Sequence, residues 1–117
     1  MLFRSFLMVN FVDFDTDYGH RRDVAGYAKL LEKFDQWLGE AVKLLGPHDH
    51  LFITADHGND PSFRGTDHTR ERVPVLWFNP QQKAGPIEVR GCFSDIGQTI
   101  AGVLGVGPLV AGTSFGL

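Results

Sequence analysis

Five side chains able to bind a metal ion stand at turn-like positions after apolar runs. Asp15 and His20 belong to the segment DFDTDYGHRR (residues 13–22). Asp56 and His57 belong to Thr54-Ala55-Asp56-His57-Gly58, and His68 follows His57 by eleven residues in a polar loop. Carboxylate oxygens and imidazole nitrogens are ligand types that manganese, zinc and magnesium share. Two such ions, about 3.5–4 Å apart, can stabilise the attacking and leaving oxygens of a phosphoryl group. The set therefore points to two-metal phosphoryl transfer. Gly19 gives the chain room to fold back between Asp15 and His20.

Further polar groups surround these five. Asp13 alternates with Asp15, so on a strand its side chain points to the other face and plays a supporting part. Asp60 and Asp67 are acceptors suited to orienting ligand histidines. Arg21 and Arg22 fit either a phosphate contact or an ion pair with Asp17, Asp23 or Glu32. His48 and His50 flank Asp49 at the opposite end of the following strand, too distant to share the site.

Placing the five groups requires a frame. Phe6 to Phe14 reads as a strand buried on both faces. Asp23 is an N-cap, and a helix follows from about Val24 to Leu45 with apolar positions at steps of three and four. Gly46-Pro47 stops it. Leu51 to Ala55 is a second buried strand. A strand–helix–strand unit of this kind makes a parallel pair, which puts Asp15 and Asp56 on one sheet edge, where ligands bind in open α/β sheets. Val73 to Phe78 is a third strand, Ile87 to Cys92 an extended segment. A helix capped by Ser94 or Asp95 runs to about Leu104, with Gly105 as its stop.

The chain has 117 residues, 43% of them hydrophobic, and a net charge of −3. That composition fits a globular domain with a core. No basic stripe marks a nucleic-acid partner, and the apolar run over Met1 to Phe14 is too short to span a membrane. The single cysteine, Cys92, suits a reducing, cytoplasmic setting and reads as a small, at least half-buried residue.

Four segments carry a family resemblance. The run Asn10 to Asp23 (NFVDFDTDYGHRRD), Ile53 to Pro61 (ITADHGNDP), Gly65 to Glu71 (GTDHTRE) with Val73-Pro74-Val75, and Phe93 to Ile100 (FSDIGQTI) resemble phosphopentomutase, of the alkaline phosphatase superfamily. Cofactor-independent phosphoglycerate mutase is similar at TADHGN but differs in the spacing from Asp15 to His20 and around His68.

The resemblance implies a partial alkaline-phosphatase-like α/β core. Its sheet is expected to be mainly parallel and flanked by helices, to lack the N-terminal strands and the cap domain, and to fill residues 1–117 as a single partial domain. It implies interconversion of ribose or deoxyribose 1-phosphate and 5-phosphate, with two divalent ions, manganese first and magnesium or zinc as alternatives, and a sugar bisphosphate primer. By position, Asp15, His20 and His68 match the ligands of one ion, and Asp56 and His57 match ligands of the other. The family's nucleophilic threonine and an N-terminal aspartate ligand have no counterpart here. These residues alone are therefore expected to be inactive and to self-associate through exposed sheet edges. The rival expectations are a metal-binding or complementing module without catalysis, or another activity of the superfamily, such as a phosphatase or phosphoglycerate mutase.

Overall fold

The computed structural model describes residues 5–116. The first four residues of the apolar N-terminal stretch, and Leu117, lie outside the described residues. In chain order come a single π-helical turn at Phe14–Gly19, helix α1 at Val24–Ala41, a 3-10 turn at Val42–Leu44, strand β1 at Leu51–Thr54, strand β2 at Val75–Phe78 and helix α2 at Ser94–Leu104. The chain divides into two compact units. One is Asn10–Lys83; the other comprises the described residues of Met1–Val9 and Ala84–Leu117.

The sheet corrects the expected fold. Among the described residues it has two strands, and they run antiparallel, with Leu51 opposite Phe78 and Thr54 opposite Val75. The expected mainly parallel sheet is absent, and the run Phe6–Phe14 forms no strand. Phe6, Leu7, Met8, Val9, Phe11 and Val12 are all exposed. The physical reason is that apolar character reports a tendency to leave water, whereas a strand needs a neighbour for its N–H and C=O groups. β1 finds that neighbour in β2. Asp15 consequently sits on a helical turn and not at a strand end. Ile87–Cys92 likewise joins no strand.

The local signals fare better. Asp23 caps α1, its carboxylate accepting the Gly26 N–H at 2.9 Å. The chain tightens at Val42–Leu44 and leaves the helix at Leu45, which is extended and precedes Gly46-Pro47. The π turn packs on α1 through aromatic edges. Phe14 lies 5.5 Å from Tyr27 and 6.0 Å from Phe34 between ring centroids, in edge-to-face geometry. Phe11 meets Phe34 and Trp37 in the same manner. These contacts hold Asp15, next to Phe14, at a fixed height along α1.

In the other unit, α2 buries Asp95, Thr99 and Ala101. It ends at Gly105, whose φ of +69° is the left-handed stop expected of a glycine there. The cap position falls on Phe93, without a side-chain bond to the helix. Arg90 pairs with Asp95 at 2.9 Å, and the N–H groups of Thr113 and Phe115 donate to Asp95 and Thr99, so the tail closes over the helix. Cys92 is exposed rather than half-buried; its thiol lies 2.7 Å from the Ser94 hydroxyl, and hydrogen bonds to Ser94 hold it below the ordinary thiol range. No described helix is long and apolar enough to cross a membrane.

Candidate metal centre

The antiparallel hairpin explains how distant histidines meet. β1 ends at Thr54 and β2 begins at Val75 directly opposite, so the intervening loop leaves and returns at the same end of the sheet. A single bridge between Gly58 and Thr69 closes the loop, with the Thr69 N–H donating to the Gly58 carbonyl at 3.1 Å. Gly58 is needed there. A Cβ would come within 2.8 Å of the Thr69 carbonyl oxygen and 2.9 Å of the Glu71 backbone nitrogen. His57 and His68, one on each side of the bridge, then stack with ring centroids 3.7 Å apart.

The π turn supplies the third candidate ligand. The wider i→i+5 ring, closed by the His20 N–H on the Asp15 carbonyl at 2.9 Å, is a form that recurs at functional sites. It lets Asp15 and His20 face the same way: His20 Nε2 lies 3.4 Å from Asp15 Oδ2. On the other oxygen, His68 Nε2 approaches Oδ1 at 3.4 Å. Asp15, His57 and His68 each offer a ligand atom within 4.8 Å of the others.

The electrostatics suit a cation. Burial pushes the Asp15 carboxyl upward, but a hydrogen bond from Asn59 and the facing His20, His68 and His57 outweigh it and hold the group below its ordinary value. The Asp15 carboxylate is thus ionised. Burial, then Asp15 and Asp60, push the Tyr27 phenol upward, so it stays neutral beside the site. Two imidazoles stacked this closely repel when both are protonated, whereas neutral rings can share a cation with the carboxylate. The donor set of one carboxylate and two or three imidazoles fits a divalent transition metal.

The other expected residues are placed as follows. His20 borders the cluster, its ring centroid 4.8 Å from that of His68, and its Nδ1 meets the Thr66 carbonyl. Asp56 lies at the rim, its side chain 88% exposed and Oδ1 3.7 Å from His57 Nε2. Asp13 lies along the apolar groove with Phe11, Phe34 and Trp37. Asp60 accepts from the N–H and hydroxyl of Ser62, and those bonds hold its carboxyl below the ordinary value. Asp67 offers its backbone carbonyl to Arg22. His20 Nδ1 and His57 Nδ1 meet backbone carbonyls, of Thr66 and Gly58, and not the Asp60 or Asp67 carboxylates. Arg21 pairs with Asp17 at 3.8 Å in an exposed position, while Arg22 turns inward. His50 accepts from the Trp77 indole N–H at 3.1 Å, away from the cluster.

Asn59 was not singled out by its sequence. Its amide donates to Asp15 Oδ1 at 2.5 Å, across 44 residues. Its position directly after the Asp56-His57-Gly58 turn was the available signal.

Comparison with known proteins agrees with the metal-site geometry. Residues 2–108 match the model of a family described as the Metalloenzyme superfamily. A phosphopentomutase of Shewanella woodyi is 56% identical over 112 residues, covering 96% of this chain and 28% of the relative. One from Legionella pneumophila (strain Corby) is 58% identical over 112 residues, covering 95% and 28%. One from Serratia proteamaculans is 54% identical over 110 residues, covering 94% and 27%. The chain therefore spans under a third of the length of these relatives.

Proposed function

The chain belongs to the metalloenzyme superfamily, and from that premise we propose that it is the metal-holding part of a phosphopentomutase-like enzyme. The full reaction interconverts ribose or deoxyribose 1-phosphate and 5-phosphate in the cytoplasm, primed by a sugar bisphosphate. The observation that carries this reading is the convergence of Asp15, His57 and His68 within 4.8 Å in a chain that matches phosphopentomutases over nearly its whole length.

In this reading Asp15, His20 and His68 hold one ion, and Asp56 and His57 contribute to a second; the stacking of the His57 ring on that of His68 would bring the two ions side by side, which is why His57 falls within the same cluster. Manganese is the preferred metal. When bound, the ions supply positive charge to the oxygens of the phosphoryl group in transfer. The chain's own residues do the positioning. Asp15 remains ionised, and contact with the Thr66 carbonyl leaves His20 Nε2 directed at Asp15. Catalysis of this kind rests on fixed geometry and charge. These 117 residues carry no threonine in the nucleophile's motif, so by themselves they bind metal without turnover.

The test is a manganese titration of the wild-type chain against His68→Ala, read by calorimetry. Affinity should fall at least tenfold. Equal affinity would overturn the assignment of His68. Mutase turnover by the purified chain, given manganese and a bisphosphate primer, would overturn the claim that it is inactive alone.

A further inference from the structure

Arg22 is the least expected residue in the molecule. It is the one non-glycine described with a left-handed backbone, at φ +55°. That conformation is costly for a residue that carries a Cβ and persists where surrounding contacts over-determine it. Those contacts are present. Its Nε donates to the Gly65 carbonyl and its Nη2 to the Asp67 carbonyl. Its Nη1 lies 2.8 Å from the Asp60 carbonyl, 2.7 Å from Asn59 Oδ1 and 3.2 Å from the Gly19 carbonyl. One guanidinium thus grips the π turn and both arms of the metal loop.

Asn59 passes that grip on. With its Oδ1 held by Arg22, the amide is oriented so that Nδ2 donates to Asp15 Oδ1, the same oxygen that faces His68. Gly19 makes room for it, since a Cβ there would strike the Asn59 amide. The result is a path of three residues from Arg22 through Asn59 to Asp15. Arg22 itself also holds both ligand-bearing segments: it binds the carbonyl of Asp67, which precedes His68, and that of Gly19, which precedes His20.

We infer that Arg22, acting through Asn59, is a positioning residue that sets the distance between Asp15 on the π turn and His57 and His68 on the loop. The inference rests on the metal-holding reading for its consequence but on hydrogen-bond geometry for its substance. Lysine cannot replace arginine here. Its ammonium has three donors on one nitrogen and no planar fork, so it cannot match the five oxygens that Arg22 reaches from three nitrogens. Asp15 itself is untouched by such a change, so any loss of metal binding would come from misplacement.

The experiment compares Arg22→Lys, Asn59→Ala and their double variant with wild type and with Lys29→Ala, an exposed charge removal on α1. Two quantities are read: manganese affinity by calorimetry, and amide hydrogen exchange over residues 58–69 in the metal-free chain. Loss of a residue that orients a ligand typically costs about 10–100-fold in metal affinity. Arg22→Lys and Asn59→Ala should each fall in that range, with faster exchange in the loop, and Lys29→Ala should match wild type. The double variant should cost little more than the larger single one, because both act along one path. Wild-type affinity and unchanged exchange in Arg22→Lys would overturn the inference. If the wild-type chain binds no manganese, the metal-holding reading fails, and the exchange measurement still decides whether Arg22 closes the loop.

Discussion

The loop that carries His57 and His68 and the helix that supports the π turn are held by opposite means. The loop has little apolar surface to bury, yet its groups are tied at defined distances by Arg22, Asn59, Thr69 and the Gly58–Thr69 bridge. Helix α1 has an apolar stripe and a sound cap, yet none of its 18 residues is fully buried. Leu31 and Trp37 are each 49% exposed. The difference shows what each force requires. A hydrogen-bonded clasp is complete once its few donors and acceptors are matched. Hydrophobic burial is proportional to area and needs a second surface of similar size.

Paired glycine substitutions put the largest strain on this contrast. Gly58→Ala drives a methyl into the Thr69 and Glu71 backbone and should destabilise the chain by about 1–3 kcal/mol. Gly39→Ala on α1 meets nothing within 4 Å and should stabilise by about 0.5–1 kcal/mol. Denaturant unfolding measures both. Effects of the same sign would remove the distinction between a closed clasp and an open helix face.

The apolar side should respond to concentration. Along β2, Val75 and Trp77 are half-buried, while Leu76 and Phe78 are exposed. An exposed apolar strand invites association, and Leu76→Lys on that face should lower the mass measured by light scattering. A wild-type chain that stays monomeric at all concentrations would count against it.

The smallest effect lies within the clasp. Hydrogen bonds from Ser62 depress the Asp60 carboxyl, so they stabilise the fold above the unfolded value of 3.8 and are lost as pH falls through the folded one. In Ser62→Ala the Asp60 carboxyl, followed by NMR titration, should move up toward its ordinary value. The chain should then lose less stability on acidification. An unmoved titration would show that the loop does not hold Ser62 against Asp60.

Legibility followed the range of the signal. The Asp23 cap, the Gly105 stop and the positions of both strands and both helices are local properties, and all could be read to within a few residues. The nature of the pairing could not. Leu51–Thr54 looks the same whether its neighbour is parallel or antiparallel, and Phe6–Phe14 looks like a strand until it lacks one. Arg22 was visible as a charge near the site, but a guanidinium that binds five oxygens has no sequence signature that distinguishes it from one that binds a phosphate or a carboxylate.

What the sequence by itself determined was the chemistry: the types and turn-like positions of Asp15, His20, Asp56, His57 and His68, and the segments that carry the family likeness. What only the tertiary structure decided was the grouping. It placed His57 with Asp15 and His68, left Asp56 at the rim, and used Arg22 and Asn59 to bind two segments some forty residues apart. The reason is physical. A side chain's donor atoms are given by its residue type, but the distance between two of them is set by every contact along the path that joins them.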